Sequence, residues 1–297
     1  MPKSDNMRGA VLMMMSMAAF TLNDTFIKSV AGDIPLFQAV FLRGLLTSLL
    51  LFGLALHRGV LRTAISRQDW GVIGWRTVGE VSATVAFLTA LFHMPIANAT
   101  SILQSLPLAI TLAGAVFFGE PVGWRRYLAI GVGFFGVLLI VRPGSDGFDG
   151  YSVFAVIAVG FVVLRDLSTR RLSAKIPSLL VALSGAVSVT ILGGVVTLFS
   201  DWQPVSSAPL LRLGGASIFL VAGYLFSVMV MRVGEISFVA AFRYTALIWA
   251  IVLGIAVFGE VPDLWTLIGS AIVVGTGIYT FYRERRLMRA GKTSGGV

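Results

Sequence analysis

Gly114 to Glu120 reads GAVFFGE, and 140 residues further on Gly254 to Glu260 reads GIAVFGE. Each heptapeptide closes an apolar stretch long enough to cross a bilayer. A second register, offset by 142, matches Asp24 followed by Ile34-Pro35 with Asp166 followed by Ile176-Pro177. Two matches at nearly one offset indicate a duplicated chain.

The 297 residues are 57% hydrophobic and 12% charged, whereas soluble domains carry about a quarter charged residues. The mean hydropathy is +0.89. Apolar runs of about 20 residues, the length that crosses the hydrocarbon core as helix, recur along the whole chain. Apolar residues fill both faces of these runs instead of alternating, which selects helices over barrel strands. The predicted spans are 8–30, 34–56, 70–93, 97–118, 124–141, 151–172, 177–200, 208–231, 236–258 and 264–282. This is an all-α membrane protein of ten transmembrane helices. It forms a single membrane domain over 1–297, with one five-helix repeat at 8–141 and a second, inverted, at 151–282. The N-terminal apolar run starts like a signal peptide but continues to Val30, past any small-residue cleavage point, so it is read as a retained first helix.

The net charge of +9 sorts by side of the membrane. With a cytoplasmic N-terminus, Lys3, Arg8, Arg58, Arg62, Arg67, Arg125, Arg126, Arg170, Arg171, Lys175, Arg232, Arg283, Arg285, Arg286, Arg289 and Lys292 fall inside, and only Lys28, Arg142 and Arg212 outside. That bias places both termini in the cytoplasm of a cell whose inner membrane holds the protein, and it accounts for the basic balance without nucleic acid. An odd number of spans per half inverts the second half, and inverted repeats predict a carrier with its site near the midplane. Cysteine is absent, and His57 and His93 are read as interfacial residues, so no metal or cofactor is expected.

Seven ionisable residues lie within the spans: Asp24, Arg43, Arg76, Glu80, Arg165, Asp166 and Arg243. Each costs a few kcal/mol in lipid, so they must face the interior, a partner or water. Their sum is one positive charge, which suits a substrate carrying a carboxylate or phosphate. Arg76 and Glu80, four apart, share a helix face. Pairing with Asp24, Glu80 or Asp166 competes with substrate capture as the role of Arg43 and Arg243. On the fourth span Asn98, Thr100, Ser101, Gln104, Ser105 and Pro107 are polar or helix-bending, and Pro107 frees the Leu103 carbonyl. In the other half Arg243, Tyr244 and Thr245 match Leu103, Gln104 and Ser105. Gly131, Gly133 and Gly136, with Gly269, Gly275 and Gly277, are expected to pack helices closely at the rear of each half. Glu120 and Glu260 are read as helix terminators.

The stretches FTLNDTFIK (20–28), PLFQAVFLRG (35–44), GEPVGWRRYLAIGVGFFGVLLIV (119–141) and GEVPDLWTLIGSAIVVGTGIY (259–279) resemble the EamA branch of the drug/metabolite transporter superfamily. More narrowly they resemble its bacterial amino-acid exporters, the aromatic amino acid exporter included. The resemblance implies a ten-helix basket whose third, fourth, sixth, eighth and ninth helices line a central cavity. Here that selects Glu80, Thr84, Ser101, Gln104, Pro107, Arg165, Tyr224, Arg243 and Tyr244 for substrate, with Asp24, Arg43, Arg76 and Asp166 as an intramembrane charge network. The third and fourth spans carry few aromatics, Phe87 and Phe92 before Phe117, unlike the aromatic exporters. The expected activity is export of amino acids and related metabolites by alternating access, with a broad drug or organic-cation exporter as the alternative. The expected partners are the small-molecule substrate and the lipid bilayer, with a monomer as the working form. An intramembrane aspartyl hydrolase using Asp24 and Asp166 is disfavoured because the inverted topology holds the two apart.

Overall fold

A computed structural model describes residues 3–120, 122–145, 148–173, 175–233 and 236–294, and the regular elements among them are all helical. Pro121 of the GEPVG turn lies outside the described residues, as do the side chains of Lys3, Arg232, Arg285, Arg286, Arg289 and Lys292 from the charge tally. The helices are α1 (Lys3–Lys28), α2 (Leu36–His57), α3 (Arg67–His93), α4 (Ile96–Phe118), α5 (Trp124–Val141), α6 (Tyr151–Arg170), α7 (Ser178–Leu198), α8 (Ser207–Val233), α9 (Ala240–Phe258) and α10 (Leu264–Ser294). The main departure from the expected spans is at the chain ends, where α1 begins at Lys3 and α10 runs on to Ser294. Nine of the ten, among the described residues, are long and apolar enough to cross a membrane. The exception is α3, whose Arg67, Asp69, Arg76 and Glu80 lower its mean hydropathy.

Local chemistry sets the helix ends. Pro35, Pro95 and Pro177 precede α2, α4 and α7, where a missing N–H costs nothing. Gly119 and Gly259 end α4 and α9 at φ 64° and 66°, a left-handed conformation that resists a side chain. The connections are short, so consecutive helices run in opposite directions. One face, here the near face, holds the starts of the odd-numbered helices, and the far face holds their ends.

The helices pack chiefly α3 on α6, α1 on α8, α2 on α7 and α5 on α10, with α4 set against both α6 and α9, and α9 also against α1. Shifting every helix by five exchanges the first two contacts, exchanges α4 on α6 with α9 on α1, and maps α2 on α7 and α5 on α10 onto themselves. Glycines set the closest approaches: a Cβ on Gly79 would lie 2.8 Å from the Arg165 backbone nitrogen, and one on Gly269 would lie 2.5 Å from the Gly136 carbonyl oxygen. Gly131 and Gly275 meet nothing within 4 Å, so only some of the rear glycines serve helix contact.

Gly269→Val should therefore overpack the α5–α10 seam by about 1–3 kcal/mol. In a detergent melt followed by intrinsic fluorescence it should lower the midpoint, whereas Gly275→Val should leave it nearly unchanged.

Candidate functional site

Glu80 is the centre of the intramembrane charges. Arg76, one turn before it on α3, donates from Nη2 to Glu80 Oε2 at 3.0 Å. Because Gly79 admits the α6 backbone, Arg165 also reaches Glu80, with Nη1 at 3.4 Å from Oε1. Arg165 Nε in turn donates to Asp166 Oδ1 at 2.9 Å. The four side chains keep 12% (Arg76), 23% (Glu80), 28% (Arg165) and 29% (Asp166) of their surface accessible. Charged groups this far inside helices, partly accessible and paired across α3 and α6, line a polar cleft.

Two further helices complete it. Tyr224 on α8 lies within electrostatic reach of Arg76, and Arg243 on α9 within reach of Asp166 and Arg165. Gln104 Nε2 donates to the Arg243 carbonyl at 3.1 Å. This bond joins two irregular backbones. The α-helix of α4 is interrupted between Leu103 and Leu106, with Pro107 in the first turn of its second piece, and α9 runs as a 3-10 helix over Ala240–Tyr244. Such breaks are tolerated at membrane depth only within protein or beside a polar cavity. Thr84 bonds back to the Glu80 carbonyl at 2.8 Å, one turn further along α3.

Two expected lining residues point elsewhere. Ser101 is fully buried, donates to the Ala97 carbonyl at 2.7 Å and accepts from Ser270 of α10. Tyr244 is 5% exposed and packs its ring against Phe281 and Gly277 of α10. Successive residues of a 3-10 helix point about 120° apart, so the neighbour of cleft-facing Arg243 turns to the rear. Arg43 and Asp24 lie beside the cleft charges, with Arg43 within electrostatic reach of both Asp24 and Glu80. Arg43, 6% exposed, bonds not to Asp24 but to Asn23 Oδ1 at 3.2 Å, while Asn23 Nδ2 donates to Asp24 at 2.9 Å. Asn23 was missed from sequence because an uncharged amide carries no penalty signal of its own.

The two matched glutamates do more than end helices. On the far face Glu260 pairs with Lys28 at 2.8 Å and accepts the Ile96 N–H at 2.9 Å, while Lys28 also donates to the Met94 carbonyl. On the near face Glu120 pairs with Arg170 at 3.3 Å. Lys28 ends α1 and meets Glu260 just past α9, and Arg170 ends α6 and meets Glu120 just past α4. Their burial differs: side-chain exposure is 9% and 22% for Lys28 and Glu260 but 51% and 50% for Arg170 and Glu120.

Related ties flank them. Arg212 donates to Asp33 at 2.9 Å on the far face, and the Ser173 N–H donates to Asp69 at 3.1 Å on the near face. The Ser66 hydroxyl, and then that Ser173 N–H, hold the Asp69 carboxyl below the usual carboxylate range. A depressed folded value means that this tie contributes above the ordinary Asp pKa of about 3.9 and is lost as pH falls through the lower value.

Helices of this length and apolarity around a buried charged cleft define a multi-pass membrane protein. Residues 7–142 match the EamA-like transporter family. Among similar proteins, the pseudopaline exporter of Pseudomonas aeruginosa is 26% identical over 90% of this chain and 93% of its own length. The S-adenosylmethionine uptake transporter of Rickettsia conorii is 23% identical over 93% of this chain and 92% of its own length. The riboflavin transporter of Vibrio cholerae is 28% identical over 72% of each chain. A solved crystal structure shares the fold with a TM-score of 0.62 at 22% identity, covering 93% of this chain and 98% of that one.

Proposed function

We propose that this chain is a secondary transporter or facilitator that exports amino acids and related small metabolites across the bacterial inner membrane by alternating access between two inverted five-helix halves. Its termini and near face are cytoplasmic, as the distribution of Lys and Arg indicates. The observation that carries the reading is the unequal burial of the two matched ion pairs, Lys28–Glu260 tight and Arg170–Glu120 open. Halves that exchange roles hold one end shut while the other admits solute, and here the far end is the closed one. Between them the substrate meets Glu80, Thr84, Gln104, Pro107, Arg165, Tyr224 and Arg243. The relatives named as transporters of pseudopaline, S-adenosylmethionine and riboflavin support small-solute carriage, and they include both an exporter and an uptake transporter.

The test is flux of a panel of labelled amino acids in proteoliposomes, with and without a proton gradient. Saturable, protein-dependent flux is expected, at least tenfold lower in Gln104→Ala, which cuts the tie between the two broken helices. Absence of flux for every amino acid, from folded protein, would overturn the substrate assignment.

A further inference from the structure

The cleft holds three guanidinium groups, Arg76, Arg165 and Arg243, against two carboxylates, Glu80 and Asp166. Glu80 is shared between Arg76 and Arg165, and Asp166 is engaged by Arg165. Among the described residues the Arg243 guanidinium enters no ion pair, and its carbonyl, not its side chain, receives the Gln104 bond. Arg76 keeps Nε and Nη1 buried without partners, and so does the Tyr224 hydroxyl beside it. Buried donors left bare are costly and rare, and an unmatched positive charge at membrane depth is costlier still. The neighbouring carboxylates offset it only in part, because two of them face three guanidinium groups.

We infer that Arg243, the free edge of Arg76 and the Tyr224 hydroxyl form a seat for the anionic group of the substrate, so that the protein selects solutes bearing a carboxylate and rejects their uncharged amides. This rests on the cleft being the substrate site, as proposed above. A planar carboxylate matches a guanidinium fork with two parallel hydrogen bonds, and it supplies the one negative charge that the cleft lacks. Arg165, engaged by both Glu80 and Asp166, holds the two carboxylates in place.

The test is thermal stabilisation of the detergent-purified protein by a panel of L-amino acids, each compared with its own amide at equal ionic strength. At least one free acid should raise the melting midpoint of wild type where its amide does not. Arg243→Gln should abolish that difference, and Arg243→Lys, which keeps the charge without the fork, should restore part of it. Amides that stabilise as well as acids, acids that all fail to stabilise wild type, or an undiminished acid preference in Arg243→Gln would each overturn the seat. Stabilisation by acids in a protein that shows no flux would keep the seat and remove the transport reading instead. Preferential stabilisation by organic cations would overturn the seat and favour a drug exporter.

Discussion

Glu80→Gln should produce the largest loss of stability among single substitutions in the cleft, about 3 kcal/mol, because removing one member of a buried ion pair strands its partners. Here two partners are stranded, since Arg76 and Arg165 both depend on Glu80, at 3.0 Å and 3.4 Å. Without that carboxylate the two guanidiniums face each other at membrane depth with only Asp166 nearby. Glutamine keeps the shape and one acceptor oxygen, so the loss reports charge and not packing. The check is a melt of Glu80→Gln, Arg165→Gln and the double variant in detergent. The double variant should be more stable than the sum of the two single losses implies, by at least about 1 kcal/mol, because each change removes what the other leaves unpaired. Flux should fall at least tenfold in Glu80→Gln.

Neutralising the far-face latch should have the second large effect, on accessibility. Lys28 and Glu260 tie α1 to the end of α9, and through the Ile96 N–H and the Met94 carbonyl they also hold the α3–α4 corner. With either charge removed, the remaining one lies largely buried and unpaired, and the closed state loses its advantage. The chain contains no cysteine, so a single Thr84→Cys reports on the cleft against a clean background. Labelling of that thiol by a membrane-impermeant reagent from the far side should rise at least tenfold in Glu260→Gln. The matched Glu120→Gln breaks a half-exposed pair, of a kind worth about 0–1 kcal/mol, and should change labelling little.

Much of this architecture is legible in the sequence because the bilayer enforces it. A span must be apolar for about 20 residues, and an ionisable residue within one stands out by its cost. That is how Arg76, Glu80, Arg165, Asp166 and Arg243, which the fold gathers, are found. The rotation of a side chain about its helix is not legible in the same way. Ser101 and Tyr244 sit at the expected depth, yet both turn toward α10: Ser101 lies on the rear of the regular first piece of α4, and Tyr244 lies in a 3-10 turn, which shifts the facing of each residue. Nor does an ion pair between distant helices leave a local signal. Lys28 reads as a flanking cation and Glu260 as a terminator. The clue lay in the repeat: Lys28 and Arg170 stand 142 apart, Glu120 and Glu260 140 apart, each pair at the duplication offset.

The most direct measurement of the central claim is flux through Lys28→Cys/Glu260→Cys protein in proteoliposomes, before and after bridging the two thiols with a short reducible cross-linker. If solute crosses between the halves and leaves at the far face, cross-linking should reduce flux to the protein-free level and reduction of the linker should restore it. Flux that continues unchanged through fully cross-linked protein would contradict passage between α1 and α9, and with it alternating access at this latch.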